Sequence, residues 1–339
     1  ADERAAASAR VQNEFLRLQR GDAAGTAEAV AVVEETLPVF AGAGDERGLC
    51  DALRLRAWSH WIEGRTAEAA AAWEEAAAHA REAGAEHERV EVLGWIASSL
   101  LFGPTEATEA IARCEGIRAD IESNPVAVAE LLQPLAGLYA LRGEFGTARE
   151  LLATSDAAFR DLGLTLNSAV SHHAATVELL AGDAAAAEQT LRRGYAALET
   201  MGDTALLSTT AAFLGQSLLA QGRGEEAEAL AGESARLAAA DDLVTQVLWR
   251  GVRARALAER GGADEAEELA REAVSLSQKT DLINNTADAL ADLGIVVRAR
   301  RGPAEARTAF EEAAALYARK GNVVGAARVQ AELASGPAL

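Results

Sequence analysis

Two adjacent histidines, His172 and His173, with Glu178 and Asp183 downstream, offer the chain's best opening for metal or acid–base chemistry. Neighbouring helical residues point about 100° apart, so the two imidazoles cannot close on one ion. No His-x-x-x-His spacing supplies a second ligand on the same face. The pair fits one ring lining a groove while the other packs inward. His79 and His87 straddle a turn at Gly84, and His60 lies between Trp58 and Trp61, where packing explains them. Cys50 and Cys114 have no metal-ligand spacing around them and cannot make a disulfide framework. Neither Lys279 nor Lys320, the two lysines, sits in the glycine frame of a phosphate loop, and no Gly-x-Ser-x-Gly elbow occurs. Phosphoryl and acyl transfer therefore have no visible machinery; no catalytic residue, cofactor or metal is assigned, and the chain is not read as an enzyme.

The carboxylates are numerous but solvated. The 52 acidic residues outnumber 32 basic ones, a net charge of −20. Many run in pairs such as Glu74-Glu75, Glu225-Glu226, Glu267-Glu268 and Glu311-Glu312. Several of these fall near helix starts, where an acid gains about 0.3–1 kcal/mol from the helix dipole. The negative surplus excludes non-specific binding to nucleic acid or anionic lipid, which needs clustered Lys and Arg. No stretch approaches eighteen uninterrupted apolar residues and no basic leader precedes an apolar run, so the expectation is a cytoplasmic protein with no membrane partner. The chain opens on Ala1, as a piece of a longer protein would.

The elements that position these residues follow from composition and rhythm. Half of the 339 residues are hydrophobic and only 4% aromatic, too apolar for disorder and too poor in sheet-forming side chains for a large sheet. One phrase recurs: a Gly, four loosely specified residues, then Ala beside an acid, as in Gly64 to Ala69, Gly143 to Ala148, Gly182 to Ala187, Gly222 to Ala227 and Gly261 to Ala266. Shorter copies begin at Gly103-Pro104 and Gly302-Pro303, and a degenerate first copy runs from Gly21 toward Ala29. The alanines 29, 69, 107, 148, 187, 227, 266 and 306 are spaced 40, 38, 41, 39, 40, 39 and 40 residues apart. Helical periodicity flanks each Gly, which supplies the left-handed or strained residue that ends a first helix, while Pro104 and Pro303 fall where a first-turn proline is tolerated. The unit is a helical hairpin, and its recurring Ala lets two helices approach to roughly 8–10 Å. One hairpin cannot bury its apolar stripe alone, so hairpins stack in single file, each touching its neighbours.

The expected fold is all-α: a right-handed α-solenoid of about eight hairpins with a period near 40, at residues 3–42, 44–84, 86–123, 125–163, 164–202, 203–240, 241–279 and 281–320, with a final helix over 321–336. In the fourth hairpin, Leu135-Ala136, Tyr139, Gly143, Ala148 and Leu152 resemble the tetratricopeptide repeat, as do Leu293-Gly294, Ala306, Phe310 and Ala313 in the last. The period exceeds that family's usual 34, implying longer helices. A second resemblance covers roughly the last hundred residues, where Asp241 to Arg250, Thr280-Asp281, Ala287 to Leu290 and Lys320 to Arg328 look like the carboxy-terminal repeats of actinobacterial multidomain regulators. There a class III adenylate/guanylate cyclase or DNA-binding domain precedes a signalling ATPase module. That resemblance implies a regulatory context and carries over no catalytic residue.

By the family's spacing, first helices line the concave wall and project Arg54, Trp58, His172, Thr176, Gln216, Arg255 and Arg298 into it; Trp61, one turn from Trp58, shares its face. Arginines scattered on that wall suit a carboxylate or an acidic peptide. Trp58, Trp61, Trp73 and Trp95, with Phe102 nearby, concentrate in the second and third hairpins, either as core filling or as an aromatic section of the groove. The implied partner is a protein or peptide segment, other domains of the same parent included, held by an interaction scaffold. The alternative is a sensor that binds a small ligand or peptide pheromone in the groove and changes pitch.

Overall fold

The structure, a computed structural model, describes residues 2–19, 26–164 and 172–335. Among them every regular element is a helix. The helices are α1 (Asp2–Gln19), α2 (Ala27–Ala43), α3 (Glu46–Ile62), α4 (Thr66–Glu82), α5 (Glu86–Phe102), α6 (Ala107–Asp120), α7 (Pro125–Leu141), α8 (Phe145–Asp161) and α9 (His172–Ala181). They continue as α10 (Ala184–Met201), α11 (Thr204–Leu219), α12 (Gly224–Leu237), α13 (Leu243–Glu259), α14 (Ala263–Ser277), α15 (Ile283–Arg301), α16 (Pro303–Lys320) and α17 (Val323–Ala334). Odd numbers are the first helices of hairpins, even numbers the second, and α17 ends the series. The turn expected at Gly21, the opening of the hairpin placed at 164–202 and the last residue of the final helix lie outside the described residues.

The local signals act where polar groups need them. Asp45, Asn124, Asp203, Asp242 and Asn322 each precede a first helix, or α17, and accept a backbone N–H three residues on, satisfying one of the amide donors that a helix start leaves unpaired. Gly143, at φ 78°, closes α7 in the left-handed region that an L side chain rarely adopts. The third hairpin departs from this plan. Gly103 has φ −80° and ψ −171° because Pro104 follows it and forces extended backbone. Pro104 therefore lies in the connection and Glu106 caps α6, whereas Pro303 occupies the first turn of α16 as expected.

Packing is set by the periodic alanines. Ala29, Ala69, Ala107, Ala148, Ala187, Ala227, Ala266 and Ala306 are all 0% exposed, so the forty-residue rhythm is the rhythm of helix crossings. Large side chains fill the space beside them: Trp73 is fully enclosed, and the Phe310 ring lies against Gly294 so closely that a Cβ there would fall 2.5 Å from it. The buried apolar residues form successive clusters, chiefly over α1–α3, α3–α7, α9–α13 and α13–α17.

The single-file expectation fails at one place. The superhelix closes on itself, and turns near its end reach turns near its beginning. Both carboxylate oxygens of Asp281 accept from the start of α4, at 2.8 Å from Thr66 N and from Ala67 N. The Asp281 amide in turn donates to Gly64 O at 2.9 Å. One hairpin later, the wholly buried Lys320 donates from Nζ to the carbonyls of Leu100, Gly103 and Thr105 at 2.7, 2.8 and 2.7 Å. Arg328 in α17 donates to Leu179 O and Leu180 O, 2.6 and 3.1 Å away at the end of α9. Adding small rotations from one hairpin to the next returns the chain to its own edge after about one turn, a consequence of pitch that no local pattern carries.

Candidate partner-binding groove

The first helices bring one face of each hairpin to a common wall. Arg54, Trp58, Trp61, His172, Thr176, Gln216, Arg255 and Arg298 are all half-buried, neither sealed in the core nor fully in water.

The aromatic residues form one connected row. Phe15 of α1 meets Trp58 edge-on at 6.1 Å; Trp58 meets Trp95 of α5 at 4.6 Å; Trp95 meets Trp61 at 5.3 Å; and Trp61 meets Phe102 at 6.1 Å. His173 of α9 continues the row, 6.0 Å from Phe102. Trp73 anchors it from behind, stacked on Trp95 at 6.2 Å. Trp73 fills the core, whereas Trp58, Trp61 and Trp95 pack against it and keep accessible surface. The indole N–H of Trp58 has no hydrogen-bond partner, nor does Nε2 of His173.

The arginines are not free to receive a carboxylate. Arg54 pairs with Asp51 at 3.2 Å and with Glu91 at 2.5 Å, Arg255 pairs with Asp292 at 3.4 Å, and Arg298 pairs with Glu332. Each cross-helix partner sits on the next odd-numbered helix, 34 to 37 residues on. Hydroxyl and amide pairs complete the ladder: Thr209 with Thr245 at 2.7 Å and Asn322 with Asn284 at 3.1 Å. The wall already neutralises its own cations, which removes the argument for an acidic ligand built on them.

The two histidines face different neighbours. His172 Nε2 lies 2.7 Å from the Thr210 hydroxyl, whose proton is committed to Leu206 O, so the imidazole is the donor and carries its hydrogen on Nε2. Its ring also tilts over Phe213 at 5.2 Å. Burial pulls both His172 and His173 down to about 4, so each is neutral near pH 7. Thr176 donates back to His172 O, and Gln216 lies half-buried on α11. Among the described residues no group of three or more His, Cys, Asp or Glu could hold a metal ion.

Sequence reasoning missed the carboxylates of this wall. Asp288 keeps accessible surface yet accepts from the Tyr317 hydroxyl, and burial raises its carboxyl to about 6. Asp292, four residues on, is likewise raised by burial, against the opposing pull of Arg255. Glu130 of α7 is raised by burial and by the like charge of Glu91. A complementary charge one repeat after each wall arginine was the available signal.

Residues 286–320, most of α15 and all of α16, match the family model for the tetratricopeptide repeat. The array is a TPR-like solenoid. No curated protein matches its sequence significantly. Among solved structures, a chain of the APC/C hetero-tetramer Cut9-Hcn1 superposes with a TM-score of 0.58 at 15% identity, over 85% of this chain and 54% of that one, so the chain spans about half of that neighbour's length. Rap protein complexed with Competence and Sporulation Factor superposes with a TM-score of 0.57 at 11% identity, over 98% of this chain and 97% of that one. NprR in complex with its cognate peptide NprX gives 0.52 at 13% identity, over 72% and 71%. At these identities the likeness is one of fold. No helix of the TPR-like array, among the described residues, is long and apolar enough to cross a membrane.

Proposed function

We propose that this chain is a non-enzymatic scaffold that holds a protein or peptide segment in its concave groove and serves as the partner-binding module of a larger bacterial signalling protein, of the cyclase or ATPase-linked regulator kind that its last hundred residues resemble. One observation supports the reading most: Trp58, Trp61, Trp95 and Phe102 form a continuous half-accessible aromatic row on the inner wall. Tryptophan is over-represented among residues that anchor partners, because its large rigid surface is desolvated at little entropic cost.

The second reading is a sensor for a small ligand or peptide pheromone. It is favoured by the solenoids of Rap and NprR, both of which were solved with a bound factor or peptide and share this fold. Both readings place the ligand on the same wall, and they differ in whether the superhelix changes shape when it binds.

The test is a panel of fluorescent peptides titrated against residues 1–339, with scattering recorded for the same samples. A bound peptide that loses ten-fold or more in affinity on Trp58→Ala supports groove recognition; unchanged affinity for Trp58→Ala and Trp61→Ala refutes it. Equal radii of gyration with and without peptide favour the scaffold, and a changed radius favours the sensor. Robust turnover of a nucleotide or ester by the same chain would overturn both.

A further inference from the structure

The three contacts that close the superhelix share one physical character. Each is made by a polar side chain on the end of a distant helix. Helix α4 has no capping side chain of its own, since Arg65 precedes it without accepting any of its amides, and Asp281 supplies that cap from 215 residues away. Helix α5 ends at Phe102, and Lys320 takes up carbonyls at and beyond that end. Arg328 does the same at the end of α9.

The apolar core does not follow these contacts. The buried cluster of α3–α7 contains no residue of α15–α17, and the buried cluster of α13–α17 contains none of α3–α7. Apolar groups do meet across the seam, with the Thr280 methyl and Leu282 near Gly64, Val323 and Val324 near Gly143 and Ala107 near Gly321, but they join neither buried cluster to the other. Breaking the seam therefore exchanges hydrogen bonds within the protein for hydrogen bonds to water and leaves both buried clusters whole, so it costs less than unfolding a hairpin.

We propose that Asp281, Lys320 and Arg328 form a releasable clasp, so that the array has a closed ring state and an open superhelical state, and the seam opens as a unit while every hairpin stays folded. With the clasp shut, a segment reaches the inner wall only along the superhelix axis. With it released, the wall is open from the side. The device belongs to the chain alone and stands whether or not the groove proves to bind a peptide.

The amino-acid composition supplies the assay. The chain has two lysines, Lys279, which is exposed, and Lys320, which is buried in the clasp, and two cysteines, Cys50 and Cys114, both buried. Amine acetylation of the full chain, read by mass spectrometry, reports the clasp; thiol alkylation of Cys50, in the core of α3–α7, reports loss of a hairpin. The expected order is Lys279 first, Lys320 slower, and Cys50 slower than Lys320 by ten-fold or more, because local opening precedes global unfolding. Asp281→Ala should speed Lys320 at least ten-fold and leave Cys50 and the helical circular dichroism unchanged. Scattering on the Asp281→Ala chain should show a larger radius of gyration. If Lys320 and Cys50 react together in the unsubstituted protein, or Asp281→Ala leaves the Lys320 rate unaltered, the ring opens only by unfolding and the clasp is refuted. Because the main readout uses the unsubstituted chain, a variant that misfolds does not remove the test.

Discussion

The Arg54 guanidinium on α3 meets the Glu91 carboxylate on α5 at 2.5 Å, with 16% of the arginine side chain exposed. Two successive first helices are thereby pinned to each other. Burial opposes the charge on Arg54, and the hydrogen bond and charge of Glu91 outweigh it, raising the guanidinium above its ordinary range. Removing Glu91 alone leaves a poorly solvated cation over the Phe15 ring with only Asp51, at 3.2 Å, as an ion-pair partner. Glu91→Leu should therefore destabilise by ~1–3 kcal/mol, whereas Arg54→Met with Glu91→Leu should cost much less than the sum of the two single changes. Chemical denaturation of the four proteins in this cycle decides it; additive single effects would show that the pair is not coupled.

Ala148 is 0% exposed and packs with Ala136, Ala140 and Val177 where α7, α8 and α9 meet. Ala148→Leu inserts three carbons into a crossing with no room for them. A loss of about 1–3 kcal/mol is expected, and an unchanged melting temperature would contradict the tight crossing.

Two glycines inside helices make opposite predictions. A Cβ on Gly294 would meet the Phe310 ring at 2.5 to 2.8 Å, so Gly294→Ala should destabilise by about 1–3 kcal/mol through overpacking. A Cβ on Gly94, within α5, has nothing within 4 Å. Gly94→Ala should stabilise by about 0.5–1 kcal/mol through helix propensity alone. Melting curves of the two variants should move in opposite directions.

Asp288 gives a pH signature. Burial raises its carboxyl to about 6 in the folded protein, above its unfolded value of about 3.9. The folded state then holds this proton more tightly, so the group's favourable contribution is complete below about pH 4 and is lost as pH rises through about 6. Asn at this position keeps an acceptor for the Tyr317 hydroxyl without the charge. Asp288→Asn should melt higher than the unsubstituted protein at pH 7.5, by at most about 1 kcal/mol because Asp288 is exposed and solvent screens its charge. The difference should vanish by pH 4; a gap that persists there would point to packing instead of protonation.

Much of this architecture is legible in the residues, for a physical reason. A helix crossing requires a small side chain at a fixed place, so the eight alanines announce the hairpins, and all eight prove fully enclosed. The pairing of successive first helices follows the same repeat, as Arg54 with Glu91 and Thr209 with Thr245 show. Two things were not legible. The charge state of the wall depends on pairs such as Arg255 with Asp292, which become neighbours only when one hairpin is laid against the next. The seam depends on the accumulated rotation of the whole array: Asp281 and Lys320 read locally as turn residues, and only the pitch reveals which distant amides and carbonyls they meet. Gly103-Pro104 failed differently, since a proline directly after the glycine fixes extended backbone in place of a left-handed residue.

Four of the five tryptophans stand within one interlocked set at α3–α5, with Trp249 alone far along the chain. Intrinsic fluorescence will consequently report mainly on the opening third of the molecule, while circular dichroism averages every helix. If the array melts in sections, as the division of its core suggests, the two optical signals will trace separate thermal transitions, and a single apparent midpoint from either will describe only part of the molecule.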